Sequence, residues 1–171
     1  MAEQQTPQDV PWLSSEERKS WMALMALAQL LPPALDAQLK RDAGMNTFEY
    51  HILAALSESP TRTQRMSQLA VFAKGSLSRL SHAVARLEHA GWVVRRPSER
   101  DGRNTEAVLT EAGWQKIQEI APGHVREARR LVLDVISPAQ LAQLGAISRA
   151  LVVAIAPDSA EVLDTGLPPQ D

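Results

Sequence analysis

The stretch KGSLSRLSHAVARLEHAGWVVRRPSERDGRNTEAVLT, residues 74–110, decides how this chain is read. Ser76 is a helix N-cap, and Gly91 is the residue type that ends helices in a left-handed conformation, so a helix is predicted from Ser76 to about Ala90. At about 100° per residue, Leu77, Ala83, Val84 and Leu87 fall within about 60° of Leu80. Ser78, His82, Ala85, Arg86 and His89 fall on the opposite side, with Arg79 beside them. One face is aliphatic, and the other offers hydroxyls, imidazoles and guanidiniums around small residues. Trp92–Arg96 is a strand candidate and Thr105–Leu109 the returning strand, and the charged, turn-rich segment Pro97–Arg103 joins them into a hairpin.

Working outward, Met66–Ala73 is a short helix with Met66, Leu69, Ala70 and Ala73 inward, followed by a turn at Lys74-Gly75. Thr61–Gln64 is β-tolerant and can supply a third small strand. A short helix, a tight turn, a second helix and a hairpin is the order of a winged helix-turn-helix. The outward face of the second helix suits the DNA major groove, because Arg can be bidentate to guanine and Ser can bond several base edges. A plain surface helix would instead carry Glu and Lys one turn apart, yet Glu88 is the only acid between Lys74 and Trp92. In the hairpin, Arg103 at the tip is placed to enter a minor groove. Arg95, Arg96 and Arg100 are placed to hold phosphates, and Asp101 to orient an arginine.

The charge distribution supports this reading. The chain of 171 residues has a formal net charge of −2, but Arg62, Arg65, Lys74, Arg79, Arg86, Arg95, Arg96, Arg100 and Arg103 are opposed locally only by Glu88, Glu99 and Asp101. A basic block within an otherwise acidic protein is a footprint for phosphate. A hydrophobic content of 44% with 22% charged residues is ordinary for a globular protein. The absence of cysteine excludes disulfides, thiolate metal sites and thiol redox sensing. The N-terminus lacks a signal-peptide pattern, and no uninterrupted apolar run approaches the ~20 residues of a membrane span. A cytoplasmic protein with no membrane association is therefore expected.

The flanks read as helical. Residues 1–13 form an arm, and 14–45 a helix opened by the capping box Ser14 to Glu17. Its apolar positions are Trp21, Leu24, Met25, Ala28 and Leu31, with a kink expected at Pro32-Pro33 because neither proline donates a backbone hydrogen bond. Asn46 to Glu49 caps a helix carrying Phe48, Ile52, Leu53 and Leu56 inward. Thr110 caps another, reaching to about Ile136 and bent at Pro122. Ser137-Pro138-Ala139-Gln140 opens the last helix, which carries Leu141, Leu144, Ile147, Leu151 and Ile155. Residues 157–171 read as a disordered acidic tail. The expected fold class is mainly α with a small β-wing, the winged helix-turn-helix occupying residues 46–110.

Several of these segments carry a family resemblance. Leu69-Ala70, the serine-rich opening of the following helix, Arg86-Leu87-Glu88-His89-Ala90-Gly91-Trp92-Val93, Asp101-Gly102-Arg103 and Val108-Leu109-Thr110-Glu111-Ala112-Gly113 resemble the MarR (multiple antibiotic resistance regulator) family. The resemblance extends over about residues 14–155. It implies a homodimeric transcription factor, often a repressor, that binds a near-palindromic double-stranded DNA operator. The helices at 14–45 and 111–156 would then form the dimerisation region. It places Ser76, Ser78, Arg79, Ser81 and His82 toward the groove or phosphates, with Arg65 and Arg86 in the same basic surface, and Arg103 at the wing tip. Where the family commonly has Thr-Arg in mid-helix, this chain has Ser81-His82. Many such proteins take a small aromatic or lipophilic acid between dimer helices and winged domain; Trp21, Met25, Phe48 and His51 are the candidate lining residues here.

Other chemistries have no sequence support. His51, His82, His89 and His124 form no pair three or four residues apart, so no metal site is expected. There is no glycine-rich phosphate loop, HExxH or nucleophile elbow, and neither catalysis nor a cofactor is expected.

Overall fold

The computed structural model describes residues 10–73, 75–98 and 103–157. The expected arm before residue 10, the wing-tip residues Arg100 and Asp101, and the tail beyond Pro157 lie outside the described residues. The chain divides into two compact units between Ala34 and Leu35.

The first unit holds the opening turns of α1 (Ser15–Ala43). Its start is reciprocal: the Ser14 backbone N–H donates to Glu17, and the Glu17 N–H donates to Ser14 Oγ. Trp21, Met22, Leu24, Leu27 and Leu30 are all exposed here. Pro32 and Pro33 lie inside α1.

The second unit contains the end of α1 and everything after it. α2 (Thr47–Glu58) starts with a full capping box between Asn46 and Glu49. β1 (Thr63–Arg65) leads into α3 (Met66–Phe72), and α4 (Leu77–His89) follows the turn at Gly75. Ser76 caps α4 by accepting from the Arg79 N–H, and Gly91 beyond its end has φ +76°. β2 (Val93–Pro97) and β3 (Thr105–Leu109) form an antiparallel hairpin in which Arg96 faces Glu106, and β1 adds to β3 with Thr63 opposite Val108. The sheet order is β1-β3-β2. α5 (Glu111–Ala128) passes through Pro122 into a π-helical segment, Arg129–Leu133, and α6 (Pro138–Ile155) begins at the Ser137 capping box with proline in its first turn.

The core is made where period 3.6 and period 2 agree on one interior. Ile52, Leu53 and Leu56 from α2, Leu69 from α3, Leu80, Ala83, Val84 and Leu87 from α4, Val93 and Leu109 from the hairpin, and Ile117 and Ile120 from α5 are buried together. Leu77 departs from the expected aliphatic face and is 58% exposed. It is the first residue of α4, so its side chain leans out past the turn before the helix reaches the packed interior.

Two helices behave differently. α6 buries no residue, and Ile147, Leu151 and Ile155 stand exposed. Among the described residues, α1 and α6 are long and apolar enough to cross a membrane by length and composition alone. Neither helix contains an uninterrupted apolar run of that length. Gln140, Gln143, Ser148 and Arg149 interrupt the apolar runs of α6 without making the helix strongly polar.

A small constellation at Thr110 ties the hairpin to the start of α5. The Thr110 hydroxyl donates to the Gly91 carbonyl at 2.7 Å and accepts from the Gly113 N–H at 3.0 Å, while the Thr110 N–H donates to the Trp92 carbonyl at 3.0 Å. This draws the first turn of α5 so close that a Cβ at Gly113 would overlap the Trp92 carbonyl oxygen. Gly113→Ala is therefore expected to cost about 2–3 kcal/mol through overpacking against backbone. Denaturant unfolding should show a lower midpoint with an unchanged m-value.

Candidate nucleic-acid interface

The amphipathic pattern of α4 sets the rotation of the helix about its axis. With Leu80, Ala83, Val84 and Leu87 inward, Ser78, Arg79, His82, Ala85, Arg86 and His89 are exposed and Ser81 is half-buried. The outward side chains border a concave surface of about 380 Å³ lined by Asn46, Phe48, Ser76, Ser78, Arg79, His82 and Arg86. The helix start contributes there too, because backbone N–H groups at a helix N-terminus favour anions.

Two of the arginines on this face are held from α2. The Arg79 guanidinium lies over the Phe48 ring, 4.2 Å from its centroid. Arg86 donates through Nε to Glu49 Oε1, while Glu49 Oε2 accepts from the Asn46 N–H at 2.9 Å. Glu49 is only 6% exposed, so one buried carboxylate both completes the α2 cap and pairs with a guanidinium. The capping role was legible in the sequence. The pairing was not, because Glu49 and Arg86 are 37 residues apart.

The wing arginines are also partnered. Arg95 grips Glu88 of α4: its backbone N–H and Nε donate to the carboxylate at 2.8 Å each, and Nη2 lies 2.6 Å away. Its Nη1 approaches Ser81 Oγ at 3.4 Å. Arg95 thus bolts β2 to α4. Arg96 pairs with Glu106 across the hairpin at 3.4 Å, and Ser98 donates to the same carboxylate at 2.7 Å. Arg103 is exposed at the wing and Arg65 is half-buried at the start of α3. Arg62, with φ +53°, packs its guanidinium over Trp114 and pairs with Glu111 at 2.9 Å.

The other candidate residues are dispersed between the units. In the first, Trp21 is 50% exposed and Met25 half-buried. In the second, Phe48 lies beneath Arg79, and His51 lies beside Tyr50 with ring centroids 6.0 Å apart. The His124 ring meets Tyr50 at a tilt of 50° with centroids 4.3 Å apart, and its Nδ1 lies 3.0 Å from Gln38 Oε1. Burial pushes His51 below the ordinary imidazole value. It pushes His124 down as well, with His51 adding to the effect and Glu127 opposing it. Among the described residues no group of three or more metal-ligating side chains is assembled.

Known proteins share this fold. A family model described as MarR family matches residues 43–104. The crystal structure of Sco3205, a MarR family transcriptional regulator from Streptomyces coelicolor, in complex with DNA, is 44% identical. It covers 94% of this chain and 98% of its own, with a TM-score of 0.83. AbsC, a MarR family transcriptional regulator from the same organism, is 35% identical over 90% of this chain and 98% of its own, with a TM-score of 0.76. The HTH-type transcriptional regulator PecS of Dickeya dadantii is 38% identical over 61 residues, which span 36% of this chain and 34% of PecS.

The Glu88–Arg95 clamp makes a pH-dependent prediction. The Arg95 side chain holds the Glu88 carboxyl below its ordinary value; burial opposes this and the Arg95 N–H reinforces it. A carboxyl with a depressed folded value stabilises the fold above its unfolded value and loses that contribution as pH falls through the folded one. Glu88→Gln should therefore lower stability by up to about 1 kcal/mol at pH 7, the scale of a partly exposed pair. Thermal melts of the two proteins should converge as pH drops below the carboxylate range.

Proposed function

This chain belongs to the MarR family of DNA-binding transcriptional regulators, and from that premise we propose that it is a homodimeric repressor of a pseudo-palindromic operator, released by a small ligand. The observation that carries the reading is the division of α4: an aliphatic strip buried against α2, α3 and β2, and an opposite face of Ser78, Arg79, His82 and Arg86 open to solvent. In this reading α4 enters the major groove, and the wing, rooted by Arg95 on Glu88, carries Arg103 toward the adjacent minor groove. Ser76, Ser81, Arg65, Arg96 and Arg100 contribute phosphate contacts, and Asp101 orients the wing arginines.

The dimer reading rests on α6 and on the opening turns of α1. An 18-residue helix with no buried side chain is marginal alone in water. Its exposed Ile147, Leu151 and Ile155 call for a partner. A second copy provides one and sets two α4 helices at a fixed spacing, about one helical turn of DNA apart. An aromatic or lipophilic acid bound near Trp21, Met25, Phe48 or His51 would alter that spacing. The protein works in the cytoplasm, where its operator lies.

Selection of bound sequences from random DNA by the purified protein is expected to enrich a palindrome with two half-sites. Repeating it with aromatic acids present should weaken the enrichment. Replacing Arg79, Arg86 and Arg103 together with alanine should reduce affinity at least a hundredfold and flatten its salt dependence by about two to three phosphate equivalents. If no palindrome is enriched, or the triple variant binds as the parent does, the proposal is wrong.

A further inference from the structure

Resting on the DNA-reading function above, we propose that Phe48 and Glu49, adjacent on α2, are positioning residues that aim the two guanidiniums of α4. Neither needs to touch DNA. Phe48 would act through Arg79, and Glu49 through Arg86.

The two holds are chemically different and leave the same thing free. Phe48 is 8% exposed and forms the floor of the concavity beside α4. The guanidinium carbon lies over its ring, and a cation–π contact of this kind consumes no N–H hydrogen bond, so the Arg79 N–H groups stay available for a bidentate contact. Glu49 engages Arg86 through Nε, its innermost nitrogen, and this contact does not use the two terminal nitrogens. An unrestrained arginine samples many rotamers, and ordering it on binding opposes affinity. Here that ordering is made in advance by α2.

The turn between α3 and α4 is fitted to this arrangement. A Cβ at Gly75 would lie 2.7 and 2.8 Å from Phe48 Cζ and Cε2. Glycine at this turn lets the ring reach under Arg79. Glu49 is likewise fixed twice, since its other oxygen closes the α2 cap on the Asn46 N–H. Both supports come from the rigid first turn of one helix.

Position along α4 assigns the two arginines different tasks. Arg79 lies in the first turn, where recognition helices meet base edges. Arg86 lies nearly two turns further on, beside the carboxylate, and suits a phosphate. Loss of the Phe48 ring should then blur base choice, whereas loss of the Glu49 charge should weaken binding to all sequences alike.

Double-mutant cycles on the full-length protein, with the operator found by selection, test this. Phe48→Leu is expected to bind about fivefold more weakly and to lose discrimination at one symmetry-related base pair per half-site; Phe48→Met should reproduce it if the leucine variant melts early. In an Arg79→Ala background either substitution should change affinity less than twofold. Glu49→Gln keeps an oxygen for the α2 cap; it should weaken binding about threefold to tenfold without changing base preference, and should have no such effect in an Arg86→Ala background. Losses that recur unchanged in the arginine-free backgrounds, tracking the melting temperature, would mark a merely structural role and overturn the assignment. A parent protein that enriches no operator overturns the DNA reading itself; one that does so while the losses add overturns only this proposal.

Discussion

Leu80, Ala83, Val84 and Leu87 lose nearly all contact with water against α2, α3 and β2, and this burial sets the rotation of α4 about its own axis. Each larger aliphatic side chain contributes about 1.5–3 kcal/mol when fully buried. A helix rolled by one residue would bury Ser81 or Arg79, depending on direction, in place of Leu80, leaving a polar group without water or partner. The apolar strip thus decides which side chains face outward. The concavity under Arg79, the clamp at Glu88 and the hairpin beyond it all assume that one rotation.

Carboxylates shape the basic surface as much as arginines do. Glu49 holds Arg86, Glu88 holds Arg95 and Glu106 holds Arg96, each reaching across from a different segment. Every such pair subtracts a charge from the local field but fixes where a guanidinium lies. For non-specific attraction the subtraction is a loss. For reading a defined sequence, placement matters more, because base contacts require donors at set positions whereas the phosphate field tolerates looseness. A surface balanced this way fits a regulator selective for a site rather than a protein that coats DNA.

The helices outside the winged domain pose the opposite problem. α6 presents Ile147, Leu151 and Ile155 to solvent along its second half, with the small residues Ala142, Gly145 and Ala146 in the turns before them. Small and aliphatic residues alternating along a helix permit close approach of another helix, and the proposed second copy would supply it. Coupling between an effector and DNA would then run through helix packing, which shifts between discrete arrangements rather than deforming smoothly.

By itself the sequence determined whatever depends on neighbours a few residues apart. The caps at Asn46, Ser76, Thr110 and Ser137, the stop at Gly91, the strand Thr105–Leu109 and the buried strip of α4 were all legible, because capping and periodicity are local. Exceptions came where an element ends or stands alone: Leu77 turned outward at the first position of α4, and the apolar positions Ile147, Leu151 and Ile155 of α6 stand exposed. What only the tertiary structure decided was the pairing of distant charges and rings. Glu88 looked like a deduction from the basic block and is the anchor of the wing; Phe48 and Glu49 looked like core and cap, and they hold Arg79 and Arg86. A side chain's partner across tens of residues is set by how helices pack in space. No pattern along the chain encodes that distance, so the composition of the reading face was visible from the outset and its aim was not.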